Sequence, residues 1–191
     1  MSTLVSVPYH HGDLRRALLD TALEAVAEHG PAAVSLRDVA RRAGVSHAAP
    51  THHFRDKAGL LTALAAEGWS LLADALAEAA GRGFGELGVG YVLFATSHPA
   101  HFAVMRAPGL ARGDDPELVA AMRRAGAQLQ SGVERFEADG ERDSEVTALA
   151  AWSLVHGLAA LILEGAVAPE PGSDVATLAR AVTDRLRPPA G

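Results

Sequence analysis

The sequence contains no cysteine, and this absence removes several classes of protein at once. Disulfide-rich scaffolds, thiol catalysis and cysteine-ligated zinc or iron–sulfur sites all require the thiol group. Aromatic residues make up only 5% of the 191 residues, and lysine occurs once, at Lys57. Residues 1–8 also lack the basic start and apolar run of a secretory signal. These features indicate a cytoplasmic protein.

Signatures of enzymes and metal sites are missing as well. The glycines after Gly81 lack the GK[ST] ending of a phosphate loop, and no G-x-S-x-G or H-E-x-x-H motif is present. The histidine pairs 10–11 and 52–53 are adjacent residues, which point in opposite directions on a helix, and no carboxylate stands at a ligand-like spacing. We expect no catalytic residue, no cofactor and no metal; zinc is the less favoured interpretation of the histidines.

Charge is unevenly distributed along the chain. The formal net charge is −6, from 17 basic and 23 acidic residues, which argues against a protein that coats nucleic acid indiscriminately. Residues 1–60 nevertheless carry seven basic against six acidic residues and six of the nine histidines, whereas the remainder carries ten against seventeen. A near-neutral, histidine-rich first part on an acidic body indicates two parts with different partners.

Helical periodicity dominates what is present. Apolar residues recur every three or four positions, and no sustained alternation suggests a strand, so the predicted fold class is all-α. Ser35, Ser46 and Asp56 are the expected N-caps of the second, third and fourth helices. The glycines between Gly81 and Gly90 predict a break in regular structure. Helices are expected over residues 13–29, 36–43, 47–53, 57–76, 87–98, 118–136, 145–164 and 174–185.

Residues 146–163 contain no Asp, Glu, Lys or Arg, and their length is that of a membrane span. Alanine and the polar or small residues Thr147, Ser153, His156 and Gly157 dilute their hydrophobicity. We interpret the segment as a helix buried in protein, with a membrane span as the less favoured alternative.

The segment from Ser35 to Lys57, SLRDVARRAGVSHAAPTHHFRDK, has the spacing of a helix-turn-helix. Gly44 tolerates the positive φ that a sharp turn between two helices needs, and Val45 can fill the elbow. The second helix of this unit would present a face free of carboxylates. The residues of that face are Ser46, His47, Ala48, Thr51, His52 and His53.

A carboxylate-free face suits a DNA duplex, which carries about one negative charge per 1.7 Å of its axis. Lys57 lies in the first turn of the following helix, where a cation opposes the helix dipole, and an external phosphate would rationalise it. The alternative is an ordinary structural corner between two helices.

The pattern RDVARRAGVS, followed by HHF, Asp56, Lys57 and Leu60, resembles the DNA-binding domain of the tetracycline-repressor (TetR) family of bacterial regulators. The stretches YHHGDLRRALLDTAL and WSLVHGLAAL resemble a subgroup whose C-terminal domain carries a Trp, His, Gly pattern. The resemblance implies a helix-turn-helix domain over residues 10–57 and a helical effector-binding and dimerisation domain over residues 58–191.

The resemblance also implies partners: double-stranded operator DNA, a second copy bound through the last two helices, and a small-molecule effector of unknown identity. By this resemblance Ser35, Ser46, Thr51, His53 and Lys57 match positions that contact the DNA backbone, whereas His47, Ala48 and His52 face bases or the groove wall. Two residues depart from the family pattern. Thr51 stands where the family usually has tyrosine, and Pro50 is unusual in a recognition helix.

Candidate pocket residues come from the aromatic and sulfur-containing positions of the body. For Trp152 and His156, one helical turn apart, core packing and a polar anchor in a ligand pocket both remain open. The sequence therefore predicts a DNA-binding repressor released by a small molecule, with a non-DNA-binding helical ligand- or protein-binding module as the alternative. The pocket candidates are Trp69, Tyr91, Phe94, Phe102, Met105, Trp152 and His156.

Overall fold

The structure is a computed structural model that describes residues 11–137 and 144–186. Every regular element in these two ranges is helical, which confirms the all-α prediction. Short 3-10 turns at Pro31–Ala33 and Asp184–Leu186 accompany the α-helices. In chain order the α-helices of the described residues are α1 (His11–His29), α2 (Leu36–Arg42), α3 (Ala48–Phe54), α4 (Lys57–Ala80), α5 (Phe84–Ser97), α6 (Pro99–Met105), α7 (Pro116–Glu137), α8 (Ser144–Leu163) and α9 (Val175–Thr183).

Side-chain caps fix where several helices begin. Ser35 Oγ accepts a hydrogen bond from the Asp38 amide at 3.2 Å, and Asp56 Oδ1 accepts one from the Gly59 amide at 2.9 Å. These two predicted caps are confirmed. The prediction for Ser46 is wrong, because α3 begins one residue later: His47 occupies the N-cap position in αR geometry and makes no side-chain capping bond.

Two hydrophobic cores lie at opposite ends of α4. The first half of this helix packs Leu60, Leu61 and Leu64 against α1, α2 and α3. Its second half contributes Leu72 and Leu76 to a second core with α5, α7, α8 and α9. We call the unit around the first core the head and the unit around the second core the body. One continuous helix of 24 residues, about 36 Å long, therefore belongs to both.

The predicted glycine break is only partly present. The chain leaves helical geometry at Gly81–Gly83, but α5 already begins at Phe84 and contains the remaining glycines of the run. Close packing explains Gly88 and Gly90, since a Cβ on Gly88 would lie 2.7 Å from Thr183 Cγ2 and 2.9 Å from Val155 Cγ1, and one on Gly90 would lie 3.2 Å from Ala79 Cβ. These two glycines allow α5 to approach its neighbours and do not end the helix.

Helix α6 was not predicted. Pro99 reads as the end of the preceding helix, whereas in the structure it occupies the first turn of a new seven-residue helix, a position where its missing amide costs nothing. The ring of His98 lies at the junction, with Nδ1 3.3 Å from the carbonyl oxygen of Phe94 at the end of α5.

Two helices in the described ranges are long and apolar enough to cross a membrane by length and composition, Lys57–Ala80 and Glu145–Leu163. The first is the shared helix of the two cores. The second is less enclosed: one side of α8 packs on the body, and the other carries large apolar side chains in contact with solvent. The chain itself therefore buries only one side of the segment that was interpreted as a buried helix. The exposed residues are Val146, Leu149, Trp152, Leu161 and Leu163.

Candidate nucleic-acid interface and internal cavity

The helix-turn-helix forms as the sequence predicts. Gly44 adopts φ 66° in the turn between α2 and α3, and Val45 packs half-buried against the head core. Helix α3 is anchored through Pro50 and Phe54, which are both buried. Pro50 is the third residue of the helix, where a backbone amide has no intrahelical acceptor, so the proline costs no helical hydrogen bond.

The anchored side of α3 leaves its other side free. Ala48, Thr51 and His52 are exposed on the helix, and Ser46 and His47 are exposed just before it. Ser35 is exposed at the start of α2, and His53 is half-buried, with its ring centroid 6.1 Å from that of Phe54. Six of the eight candidate DNA-contacting residues are therefore exposed and His53 is half-buried; we call these seven residues the α3 surface (residues 35, 46–48 and 51–53).

The carboxylates nearest in sequence to the α3 surface are both engaged. Asp38 accepts hydrogen bonds from Arg41 at 2.5 Å and from Arg42 at 2.6 Å, and these bonds lower the pKa of Asp38. Asp56 caps α4 and accepts from Arg112 at 2.7 Å; its bond from the Gly59 amide is the main cause of its lowered pKa. Their negative charge is compensated by these partners, so the head opposes an approaching polyanion only weakly.

Lys57 has a partner inside the head. Its ammonium donates a hydrogen bond to the carbonyl oxygen of Ala32 in the first 3-10 turn. The Ala32 carbonyl oxygen is therefore enough to explain why a cation occupies the first turn of α4, and no phosphate is needed. The sequence did not reveal this acceptor. A phosphate contact at Lys57 stays a prediction.

Arg55 was overlooked in the sequence. It links α3 to α4 with φ 68°, in the left-handed half of backbone space that an arginine seldom adopts, and its amide donates to the Thr51 carbonyl oxygen at 2.8 Å. Glycine or asparagine normally signals such a position, so the sequence carried no warning of it. The exposed guanidinium of Arg55 therefore stands at the end of α3.

The body encloses an apolar cavity of about 240 Å³ between α4, α5, α7, α8 and α9. Met122 and Trp152 border it and are both exposed, at 42% and 44%, so it reaches the surface between α7 and α8. Among the described residues, no Asp, Glu, Lys, Arg or His contributes to the wall. The lining residues are Trp69, Leu72, Leu76, Phe84, Gly85, Leu87, Gly88, Tyr91, Met122, Ala125, Gly126, Leu129, Ala151, Trp152, Val155 and Thr183.

Three of the seven pocket candidates line this cavity: Trp69, Tyr91 and Trp152. The other four lie behind or beside the wall. His156 Nδ1 is 2.7 Å from Tyr91 Oη, and the Phe102 ring meets Tyr91 edge-on with centroids 6.1 Å apart. Phe94 stacks on His98, and Met105 packs against Gly68.

The Tyr91–His156 contact is a hydrogen bond within an aromatic cluster. Burial lowers the pKa of His156, with the charge of Arg106 acting in the same direction, so the imidazole is neutral at pH 7. Burial raises the pKa of Tyr91, against the effect of a hydrogen bond from Trp152. His156 thus contacts a wall residue from outside the cavity, and a role as a polar anchor for a ligand stays a prediction.

Several wall residues were not among the predicted candidates, and these include the aromatic Phe84 and the sulfur-containing Met122. Leu129 and Met122 on α7 are seven residues apart, with Ala125 and Gly126 between them on the same face. That helical spacing was visible in the sequence, but spacing alone does not tell a cavity wall from a filled core.

A buried histidine joins the head to the body. His101 on α6 is 6% exposed, and its Nε2 has no hydrogen-bond partner. Glu67 Oε1 on α4 lies 3.6 Å from that nitrogen and accepts a hydrogen bond of 2.8 Å from Arg16 on α1. Burial lowers the pKa of His101 despite the nearby carboxylate. Three helices thus meet at one polar contact with an unused nitrogen.

Within residues 11–137 and 144–186, no three His, Asp or Glu side chains come together in a group that could hold a metal ion. The rings of His52 and His53 are 5.5 Å apart and nearly perpendicular, and no Asp or Glu of the described residues completes such a group with them. His10 lies outside the described residues.

Comparison with known families gives two matches that follow the two units. Residues 18–64 match the model of bacterial regulatory proteins of the tetR family. Residues 84–186, more than half of the chain, match a tetracyclin repressor-like C-terminal domain. The first match covers the head, and the second covers the helices of the body from α5 onward.

Individual relatives agree with these matches. The HTH-type transcriptional regulator BetI of Escherichia coli (strain K12 / DH10B) is 47% identical over 62 residues, a segment that spans 32% of either chain. A protein of unknown function from Rhodococcus sp. RHA1 is 35% identical, with a TM-score of 0.76 over 95% of this chain and 97% of that one.

The TetR family regulator PfmR from Thermus thermophilus shares the fold at 21% identity, with a TM-score of 0.65 over 88% of this chain and 96% of that one. Head, body and relatives lead to the same assignment. The chain belongs to the TetR family of DNA-binding transcriptional regulators.

Proposed function

We propose that this protein is a homodimeric repressor that binds double-stranded operator DNA through α3 and releases it when a small molecule occupies the body. The observation that carries the proposal is the α3 surface, which is polar, exposed except for the half-buried His53, and without a carboxylate. Such a surface can lie in the major groove, where hydroxyl and imidazole groups meet base edges and phosphates.

Each residue of the surface has a proposed role. The DNA backbone is contacted by Ser35, Ser46, Thr51, His53 and Lys57. The bases or the groove wall are faced by His47, Ala48 and His52. Thr51 has a short exposed hydroxyl, so it reaches phosphate directly only at close approach or through a bridging water. The DNA-binding part comprises residues 10–57, and effector binding and dimerisation belong to residues 58–191.

The dimer contact that we propose uses α8 and α9. The exposed apolar side of α8 is the main support, because large apolar groups in a row are unfavourable in water and mark association surfaces. A partner helix there would bury the side of residues 146–163 that the chain leaves uncovered. Two heads in one dimer could then occupy half-sites about one helical turn apart.

Helix α4 is the proposed link between effector and DNA. Its first residue, Lys57, contacts the head, and Trp69, Leu72 and Leu76 farther along it line the cavity. A ligand that shifts these wall residues moves a rigid helix whose other end positions α3. The effector thereby favours a conformer whose heads are mis-spaced for the operator, which is coupling between two sites.

A regulatory role, and repression in particular, is supported by relatives. BetI is an HTH-type transcriptional regulator, and NalD of Pseudomonas aeruginosa, which shares the fold at 22% identity and a TM-score of 0.59, is the secondary repressor of the MexAB-OprM multidrug efflux pump. We infer a repressor without enzymatic activity that works in the cytoplasm, where its DNA is.

A salt titration of DNA binding tests the proposal. Purified protein is mixed with the DNA flanking its own gene and with fragments selected from a random pool. We expect specific binding by dimers, with log affinity falling linearly as log salt rises. Failure to bind the flanking DNA and failure to enrich any sequence from the pool would favour a helical module that does not bind DNA.

A further inference from the structure

We propose that the cavity of the body binds an uncharged, apolar molecule about the size of two fused rings, and that it discriminates against charged analogues of the same shape. This inference names the chemical class of the effector and so rests on the proposed function. It is drawn from the charge, hydrogen bonding and volume of the cavity.

Charged groups around the cavity are arranged away from it. Arg180 on α9 donates to Glu86 on α5 at 2.7 Å and 3.2 Å, outside the wall. Arg124 on α7 and Asp74 on α4 pair at 2.5 Å on the exposed surface. A charged ligand inside would lose its hydration and find no counter-ion among the wall residues.

Arg106 is the cation that most influences the cavity's aromatic cluster. Its guanidinium lies 5.2 Å from the centroid of the Phe102 ring, and Phe102 packs against Tyr91 behind the wall. Arg106 does not line the cavity. Arg106 would therefore attract an anion in the cavity only through the intervening aromatic rings. Because this attraction favours an anion over a cation, weak binding of the anionic analogue is the stricter test of the proposal.

Two polar side chains of the wall already have hydrogen-bond partners. Thr183 Oγ1 donates to the Arg180 carbonyl oxygen at 3.1 Å, and Tyr91 Oη is hydrogen-bonded to His156 Nδ1 at 2.7 Å. A ligand that needs strong hydrogen bonds would have to break these, whereas a hydrocarbon breaks none.

Size and shape narrow the class further. An apolar cavity of about 150 Å³ accommodates benzene, so about 240 Å³ leaves room for a second ring. Four of the chain's nine Phe, Trp and Tyr residues lie on the wall, namely Trp69, Phe84, Tyr91 and Trp152. Ring faces and edges of this kind pack well against flat hydrocarbons.

Intrinsic fluorescence provides the readout, because both tryptophans of the chain line the cavity. Full-length protein is titrated at pH 7 with indane, indane-2-carboxylate and 2-aminoindane, with excitation at wavelengths that only tryptophan absorbs. We expect a saturable change with indane and at least tenfold weaker binding of the carboxylate and the ammonium. Equal or tighter binding of either charged analogue, or no saturable response to indane, overturns the proposal.

A matched pair of variants locates the site. A Cβ on Gly126 meets no atom within 4 Å, so Gly126→Leu places its side chain in open space at the wall of the cavity. Ala127, the next residue of α7, is exposed and outside the wall, so Ala127→Leu is the control. We expect Gly126→Leu to weaken indane binding at least tenfold and Ala127→Leu to leave it unchanged; equal effects of the two would overturn the placement.

The two proposals fail separately. Operator binding is measured on the same protein without any ligand, whereas indane binding is measured without DNA. If the protein binds specific DNA but does not bind indane, the inference about the effector is wrong and the proposed repressor function is unaffected. Indane binding together with no affinity for any DNA would support the cavity assignment and count against the repressor.

Discussion

The head and the body of this protein present opposite environments to their ligands. The α3 surface is exposed and rich in hydroxyl and imidazole groups, and the nearest carboxylates in the sequence are held by arginines or by a helix cap. The cavity has an apolar wall with no charged side chain among the described residues. A polyanion and an uncharged hydrocarbon therefore cannot compete for the same groups, and any influence of one on the other must pass through the helices between them.

Helix α4 and the contact between Arg16, Glu67 and His101 are the structural links between these environments. Leucines of α4 belong to the head core at one end and to the body core at the other. Glu67 lies between these two sets of leucines and binds α1 through Arg16. The comparison predicts that charge controls the head, packing controls the body, and the middle of α4 is sensitive to both.

A single carboxylate should have its largest effect on the α3 surface. Ala48→Glu adds a negative charge to an exposed residue of α3, and like charges at an interface cost several kcal/mol. We expect operator affinity to fall at least a hundredfold, about 2.8 kcal/mol, with unfolding unchanged. Ala77→Glu, on an exposed position of α4 in the body, should leave DNA binding intact. Equal losses for both variants, measured by fluorescence anisotropy, would contradict the separation of head from body.

A single methyl group should have the next largest effect, and in the body. Gly88→Ala places a Cβ 2.7 Å from Thr183 Cγ2 and 2.9 Å from Val155 Cγ1, so packed helices must move apart. We expect the free energy of unfolding to fall by about 1–3 kcal/mol. Gly126→Ala is the control, since its Cβ meets nothing within 4 Å and alanine favours the helix by about 0.5–1 kcal/mol. Urea denaturation that shows the two changes with the same sign would refute the packing explanation.

The head was largely predictable from sequence because its signals are local. A cap needs one side chain and an amide three residues away, and the turn needs one residue such as Gly44 that accepts a positive φ. Where a partner is distant in sequence, prediction failed even here: the Ala32 carbonyl oxygen that holds Lys57 is 25 residues away.

The body was less predictable because its features depend on neighbours far along the chain. Gly88 reads as a helix breaker until Thr183, 95 residues later, is seen to occupy the space that a side chain would need. Phe94 and Phe102 read as pocket residues because they are aromatic, but only the relative placement of five helices decides which face borders the cavity. The spacing of apolar residues shows which face of a helix is buried, but it does not show where neighbouring helices leave a cavity between them.

Removing the charge of Lys57 should have a moderate effect on the head. If Lys57 also contacts a phosphate, Lys57→Ala should weaken binding to all sequences by about tenfold and flatten the slope of log affinity against log salt by about 1. The bond from Lys57 to Ala32 complicates this, so stability is measured in parallel. His47→Ala is the contrasting variant: it should change which sequences are selected from a random pool while leaving the salt slope nearly unchanged. Uniform loss over all sequences for both variants would show that their assigned roles are wrong.

The smallest effect concerns the middle of α4 and depends on pH. Burial lowers the pKa of His101 in the folded protein below the 6.5 of a free histidine. As pH falls below that value, the unfolded chain binds a proton that the folded protein resists, so the unfolded state gains stability relative to the native state. The stabilisation is therefore complete above about pH 7 and is lost as the solution is acidified. The charged or titratable groups that influence the ring of His101 are Arg16, Glu67 and His98.

Thermal unfolding between pH 7.5 and 5.5 measures this effect, because the carboxylates with lowered pKa values titrate below the window. We expect Tm to fall toward pH 5.5 in the wild type and to fall less in His101→Gln, which cannot take up the proton. His156, whose pKa burial also lowers, contributes in the same direction, so His156→Gln should remove a separate part of the slope. A wild-type slope retained in His101→Gln would mean that the buried nitrogen beside Glu67 does not sense pH.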